Sequence, residues 1–172
     1  MDDEVVPLRA TTVAPAFTLA RSPHARLALN SLRDRPVVLV FYPMDWEPVS
    51  REELTLYEDY ATDFARLGAQ VVGISVDHAY SHEAFARTAR LRFPLLADFQ
   101  PRGAVARRYG VYHPRLGVSA RALFVLDGRR IIRFSAAYPD LLNPGVDDVL
   151  TTLEALDQDP TGTRSEARRP PT

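Results

Sequence analysis

Residues 37–76 carry the pattern that most restricts the fold of this chain: an apolar run, a helical segment and a second apolar run. The first run, VVLVFY at 37–42, does not alternate with polar residues and is ended by Pro43. Such continuity predicts a strand buried on both faces, as in the centre of a parallel sheet. Apolar side chains recur at helical spacing over 51–67, Gly68 stands where a helix would end, and AQVVGISV at 69–76 predicts another buried strand. Strand, helix and strand in this order predict a crossover unit with parallel strands.

The flanking segments complete an α/β domain. Two short apolar runs around the turn-like RSPH predict an N-terminal hairpin over 14–29, and Asp127-Gly128 predicts a second hairpin. A helix is expected over 81–91, with Ser81 as its N-cap and Ala84, Phe85 and Thr88 on its inner side. Further helices are expected over 103–109 and 146–156. This order predicts a thioredoxin-like fold, with a central mixed β-sheet flanked by helices and an N-terminal β-hairpin extension.

Length and composition predict one globular domain. The 172 residues are 46% hydrophobic and 25% charged, which suffices for a sizeable core, and we assign this domain to residues 1–157. Residues 158–172 are polar and rich in proline, so this tail is predicted to be disordered. No apolar run approaches the length of a membrane span, and MDDEVVPL does not resemble a signal peptide. A cytoplasmic protein is therefore expected.

The charges and the missing cysteines exclude several classes of function. The net charge is -1, with 21 basic and 22 acidic residues mixed along the chain, which disfavours nucleic acid and anionic membranes as partners. With no cysteine, the chain has neither disulfides nor thiolate metal sites. His78 and His82 lack an evident third ligand, so no metal is expected. The chain has no G-x-S-x-G motif, which disfavours a serine hydrolase.

The segment FYPMDWEPVSREEL at 41–54 resembles the active-site signature of the peroxiredoxins, the alkyl hydroperoxide reductase and thiol-specific antioxidant family. That signature is a buried strand followed by Pro-x-x-x-Thr/Ser-x-x-Cys at the start of a helix. Further similar segments are GISVD at 73–77, FPLLAD at 93–98, GAVARRYGV at 103–111 and SARALFVLDGRRIIRF at 119–134. The resemblance covers residues 14–156.

The resemblance implies a thiol-dependent peroxidase that reduces hydrogen peroxide and alkyl hydroperoxides without a cofactor. It also implies a homodimer and, if cysteines are present, a thioredoxin-like or other thiol reductant. By the same resemblance, Pro43 would shield the peroxide pocket and Arg121 would stabilise thiolate and peroxide. Ser50 occupies the position of the peroxidatic cysteine, and Glu47 stands where the family has threonine or serine. Ser81 stands where a subgroup carries its resolving cysteine.

Serine at position 50 predicts an inactive form. In a peroxidase the helix N-terminus and a nearby arginine favour a thiolate, which attacks the peroxide and becomes a sulfenic acid. A serine hydroxyl ionises too reluctantly to follow this path. Purely structural roles are also open. Ser50 and Glu53 could form a capping box, and Arg121 could be an ion-pair partner of Glu53. Glu47 could have no role other than to complement the helix dipole.

Two hypotheses remain. Either the natural protein is a peroxidase whose cysteines at 50 and 81 have been replaced by serine, or it is a naturally cysteine-free relative with a binding or structural role. Glu47 separates them, because no exchange of cysteines would alter this residue. A selected peroxidase predicts that the Glu47 carboxylate points to solvent and leaves Arg121 free. Loss of catalysis permits Glu47 to turn inward and pair with Arg121.

Overall fold

The computed structural model describes residues 4–159. Its strands and helices follow the expected order. The strands are β1 (Thr18–Ser22), β2 (Ala25–Ala28), β3 (Val37–Phe41), β4 (Gln70–Ser75), β5 (Leu95–Ala97), β6 (Tyr112–His113), β7 (Val118–Ser119), β8 (Arg121–Leu126) and β9 (Ile132–Tyr138). The helices are α1 (Pro48–Asp59), α2 (Ala61–Arg66), α3 (Ala79–Ala89), α4 (Ala104–Arg108) and α5 (Asp147–Gln158).

Seven of these strands form one mixed sheet in the order β2-β1-β5-β4-β3-β8-β9. Strands β3, β4 and β5 are parallel neighbours, whereas β8 pairs antiparallel with β3 and with β9. The N-terminal hairpin of β1 and β2 joins the sheet through an antiparallel contact with β5. The mixed sheet, the flanking helices and the hairpin extension confirm the expected fold.

Strand β3 lacks alternation because both of its faces are buried. Leu39 and Phe41 belong to the core on one side of the sheet, and Val38 and Val40 to the core on the other side. All four side chains are fully buried. Burial of both faces removes the need for a polar side, which is the reason an unbroken apolar run indicates a central strand. The strand therefore delivers the loop after Phe41 to a fixed place at the carboxyl edge of the sheet.

Several expected helix boundaries are corrected. The segment 51–67 contains two helices, because α1 ends at Asp59 and α2 begins at Ala61. The N-cap of α3 is His78, whose ring accepts a hydrogen bond from the amide of Tyr80, so Ser81 lies inside the helix. Of the expected inner face, Phe85 is buried and Ala84 and Thr88 are exposed, and His82 lies on the buried face instead.

The last helix extends to Gln158, two residues beyond its expected end. The rest of the tail that the sequence predicts to be disordered, 160–172, lies outside the described residues. Between residues 4 and 159, no helix combines the length and apolar character needed to span a membrane.

Candidate functional site

Buried hydrogen bonds fix the loop between β3 and α1. The hydroxyl of Tyr42 donates to Oδ1 of Asp45 over 2.8 Å, and the Asp45 amide donates to Oδ2 of Asp77 over 2.8 Å. Pro43 is buried directly after β3. Trp46 adopts a left-handed backbone conformation with φ 69°, an uncommon state for a residue with a side chain. The loop then enters α1 with Glu47 as the N-cap.

The Glu47 carboxylate turns inward over the start of α1. Its Oε1 accepts from the Val49 amide at 2.9 Å, and its Oε2 accepts from both the amide and the Oγ of Ser50 at 2.7 Å. The same Oε2 lies 3.0 Å from Nη2 of Arg121. Burial alone would raise the pKa of Glu47, but hydrogen bonds from Ser50, Val49 and Arg121 lower this pKa below its ordinary value. Glu47 is therefore held as an anion.

Arg121, from the start of β8, is fully buried and shared between two carboxylates. Its Nη1 donates to Oε2 of Glu53 over 2.6 Å, while Nη2 contacts Glu47. The Nε and Nη2 groups also donate to the carbonyl of Asp140, over 3.1 and 2.8 Å. The ion pair between Arg121 and Glu53 that the sequence suggested is thus present, with a second carboxylate added to it.

Glu53 differs from Glu47 in that its pKa is raised. Burial raises the pKa of Glu53 to about 7, although the Arg121 guanidinium opposes the rise. The nearby charge of Glu47 raises it further. The Oε1 atom of Glu53 is buried without a hydrogen-bond partner among the described residues. Arg121 therefore contacts both carboxylates, and Glu53 keeps one buried oxygen without a described partner.

Ser50 is fully buried in the middle of this cluster. Its Oγ donates to Glu47 and lies 3.5 Å from both Nη atoms of Arg121. The suggested capping box of Ser50 and Glu53 is wrong, because Glu47 caps the helix and Ser50 is already in its first turn. The structure thus brings together Glu47, Ser50, Glu53 and Arg121.

Ser81 belongs to a different cluster. Its Oγ donates to Oδ2 of Asp45 over 2.7 Å, and Nδ1 of His82 lies 3.0 and 2.9 Å from the two oxygens of the same carboxylate. Nε2 of His82 faces the carbonyl of Leu96 at 3.1 Å. Among the described residues, no hydrogen bond links Ser81 to Ser50 or Arg121.

The Asp45–His82 pair escaped sequence analysis. His82 lies between a carboxylate at Nδ1 and a carbonyl at Nε2, and both contacts are within hydrogen-bond distance. The two histidines do not converge: His82 is directed to Asp45, and His78 caps α3. The available signal was the helical spacing of His82 and Phe85, which places both on one face.

Comparison with known proteins gives consistent matches. A family model described as the AhpC/TSA family matches residues 10–135. "Peroxiredoxin 2" of Thermoplasma acidophilum is 31% identical over 149 residues, covering 83% of this chain and 73% of its own. "Alkyl hydroperoxide reductase E" of Mycobacterium tuberculosis is 34% identical over 129 residues, covering 74% of this chain and 84% of its own.

Solved structures show the same fold. The reduced 2-Cys peroxiredoxin of Plasmodium vivax superposes with a TM-score of 0.79 at 23% identity, over 88% of this chain and 83% of its own. Peroxidoxin BcpB from Mycobacterium tuberculosis superposes with a TM-score of 0.77 at 30% identity, over 87% of this chain and 98% of its own.

Proposed function

Because the chain belongs to the AhpC/TSA family, we propose that it is a peroxiredoxin-type thiol-dependent peroxidase in a cysteine-free form that does not turn over peroxide. With cysteine at the active site, the reaction proposed is the reduction of hydrogen peroxide and alkyl hydroperoxides. In this chain the position for a peroxidatic thiol, at the first turn of α1, holds Ser50. In this proposal Pro43 and Glu47 take the other positions of the active-site signature, with Glu47 departing from its threonine or serine, and Arg121 is the arginine that the resemblance places beside them.

The observation that carries the proposed inactivity is the placement of the Glu47 carboxylate, which turns inward to Arg121 and not to solvent as a selected peroxidase predicts. A thiolate at position 50 would need the amides at the start of α1 and the guanidinium of Arg121 for its stabilisation. Glu47 already accepts from the amides of Val49 and Ser50 and from Arg121. The helix amides and the guanidinium that a thiolate would need are therefore already bound to the Glu47 carboxylate.

The same geometry favours a second candidate, a naturally cysteine-free relative with a binding or structural role. The contact between Ser50 Oγ and Glu47 Oε2 needs a hydroxyl proton, which a thiolate does not have. Two anions at these positions would repel each other. An inward Glu47 is thus suited to serine at position 50, and loss of catalysis permits this geometry.

The partners follow from the same premise. We propose a small peroxide as the substrate that the ancestral site would take, a thioredoxin-like or other thiol as reductant where cysteines are present, and a homodimer in the cytoplasm. Nucleic acid and membranes are not proposed as partners.

The experiment that tests the proposed function is peroxide consumption by the purified chain. With hydrogen peroxide or cumene hydroperoxide and a thiol reductant, we expect the rate to equal that of buffer, because no thiolate can form. Ser50→Ala serves as the matched control, since it removes only the hydroxyl. Consumption above buffer that disappears in Ser50→Ala would contradict the proposal.

A further inference from the structure

A second concave site includes His78 and Ala79 at the start of α3. It is a cavity of about 360 Å³ between the N-terminal hairpin, the loop after β5, and the facing ends of α3 and α4. Its volume falls near the lower end of the range for small-molecule sites. Neither Glu47, Ser50, Glu53 nor Arg121 lines it. The groups that carry the argument are Phe17, Leu19, Arg26, His78, Phe99 and Arg108.

The floor of this cavity is apolar. Phe17 and Leu19, from the start of the hairpin, are buried against the core beneath the sheet. Val105 of α4 is buried on the opposite wall. Phe99 stands at the rim, 41% exposed, with its ring edge against the ring of His78. Such a floor offers contact to an apolar body of a ligand rather than to a fully hydrated ion.

Two arginines bring positive charge to one side of the cavity. Nη2 of Arg26 donates to the Thr18 carbonyl over 2.7 Å, and Nη1 of Arg108 donates to the Ala16 carbonyl over 2.6 Å. The two anchoring residues are two positions apart, so at most about 7 Å of chain separates them. Within residues 4–159, neither guanidinium forms an ion pair with a carboxylate. Both guanidinium groups are thus anchored to the same short segment, residues 16–18, and each keeps N–H groups that these two bonds do not use.

His78 and Asp98 are the titratable groups of the lining besides the two arginines. Nδ1 of His78 accepts from the Tyr80 amide, which leaves the ring proton on Nε2. The one carboxylate in the lining, Asp98, has both oxygens engaged by the amides of Val105 and Ala106 at 3.0 and 2.8 Å. Burial raises the pKa of Asp98, although these hydrogen bonds and Arg108 oppose the rise. The lining therefore suits an anionic group.

We propose that this cavity binds a small amphipathic carboxylate, of the class of medium-chain fatty acids. Its carboxylate lies between the guanidinium groups of Arg26 and Arg108, which match carboxylate geometry through paired N–H donors. Its apolar chain lies on Phe17, Leu19 and Val105. The site is independent of the Glu47 cluster and does not require peroxide chemistry.

The test is a titration of the full chain with octanoate, followed by amide NMR shifts and by calorimetry. We expect saturable shifts confined to the cavity lining. Octanol, which lacks the charge, and acetate or inorganic phosphate, which lack the chain, should bind at least about tenfold more weakly. Equal binding of octanol would overturn the role of the arginines. Equal binding of phosphate would overturn the role of the apolar floor, and absence of shifts at millimolar octanoate would overturn the site.

Matched variants locate the binding. Arg26→Gln with Arg108→Gln should weaken octanoate at least about tenfold, since both charged hydrogen-bond donors are lost. Arg66→Gln with Arg87→Gln removes the same charge from exposed helix positions and should leave the affinity unchanged. The single variant Arg26→Gln changes an exposed residue and is not expected to affect folding. Its affinity for octanoate should fall between those of the parent and the double variant. Equal affinity in both double variants contradicts the proposal. Glu47→Thr should bind octanoate like the parent chain, so this result is separable from the proposed function.

Discussion

At the scale of single residues, Glu47 decides how the first turn of α1 is used. A carboxylate that accepts from two helix amides, a hydroxyl and a guanidinium neutralises the site locally. A threonine or serine at this position would leave Arg121 paired with Glu53 alone. Glu47 therefore adds a second carboxylate to a site that already holds one.

The first residue-scale prediction concerns a restored thiol. In Ser50→Cys, the carboxylate of Glu47 should raise the thiol pKa, and Ser50→Cys with Glu47→Thr should react with peroxide at least about tenfold faster, since a shift of one pKa unit changes the thiolate fraction tenfold. Stopped-flow peroxide reduction and the ultraviolet absorbance of the thiolate measure the two effects.

The control for this comparison is Ser50→Cys with Glu52→Thr, which alters an exposed glutamate of α1. It should react like Ser50→Cys alone. Fast and equal rates with either residue at position 47 would show that Glu47 does not block the site, and would favour a peroxidase whose cysteines were replaced.

The second residue-scale prediction concerns Glu53 and pH. Burial raises its pKa to about 7 from 4.5 in the unfolded chain, so between these values the folded state holds a proton that the unfolded state has released. The free energy of unfolding should therefore fall as pH rises from about 4.5 to 7, by roughly 3 kcal/mol at most. Urea unfolding at several pH values measures this slope.

Glu53→Gln removes the titration and should flatten the slope in that window. Glu52→Gln, one residue earlier on the exposed face of α1, should keep the slope of the parent. An unchanged slope in Glu53→Gln would show that Glu53 does not titrate in this range.

At the scale of elements, the buried pair of Asp45 and His82 ties the loop after β3 to α3. The carboxylate accepts from Tyr42, Ser81 and His82, and the ring of His82 reaches Leu96 in β5. Both side chains of the pair are almost fully buried. Through this network the position of α3 is coupled to the loop that carries Glu47.

Breaking this pair should be costly. His82→Leu removes one hydrogen-bond partner from a buried carboxylate, and we expect the free energy of unfolding to fall by about 1–3 kcal/mol. Ser81→Ala removes one neutral donor and should cost about 1 kcal/mol. Urea unfolding of Asp45→Asn, His82→Leu and the double variant tests the coupling: the double variant should lose less than the sum of the single ones. Simple additivity would contradict a direct pair.

At the scale of the whole molecule, apolar side chains remain uncovered near the site. Trp46 is 52% exposed and Tyr80 62% exposed, at the starts of α1 and α3. We expect a homodimer, and covering such side chains would favour it. Light scattering across a range up to tens of micromolar should give the mass of two chains. The mass of one chain at every concentration would contradict this prediction.

Much of the fold was predictable because it rests on local patterns. The unbroken run 37–42 indicated a strand with both faces buried, and the hairpin signals correctly indicated β1 with β2 and β8 with β9. Boundaries were less accurate where capping decided them. His78 rather than Ser81 caps α3, and His82 rather than Ala84 or Thr88 shares the buried face with Phe85.

Local patterns were enough to predict the order of the elements, the mixed sheet and the chemistry excluded at position 50, since periodicity, turn residues and the lack of a thiol can be read without contacts between distant residues. The direction of the Glu47 carboxylate and the pairing of Asp45 with His82 could not be predicted in this way. These contacts join residues 74 and 37 positions apart, Glu47 with Arg121 and Asp45 with His82. Their formation depends on which buried charges the packed sheet brings within hydrogen-bond distance, because a charge removed from water must find a partner among its neighbours in space.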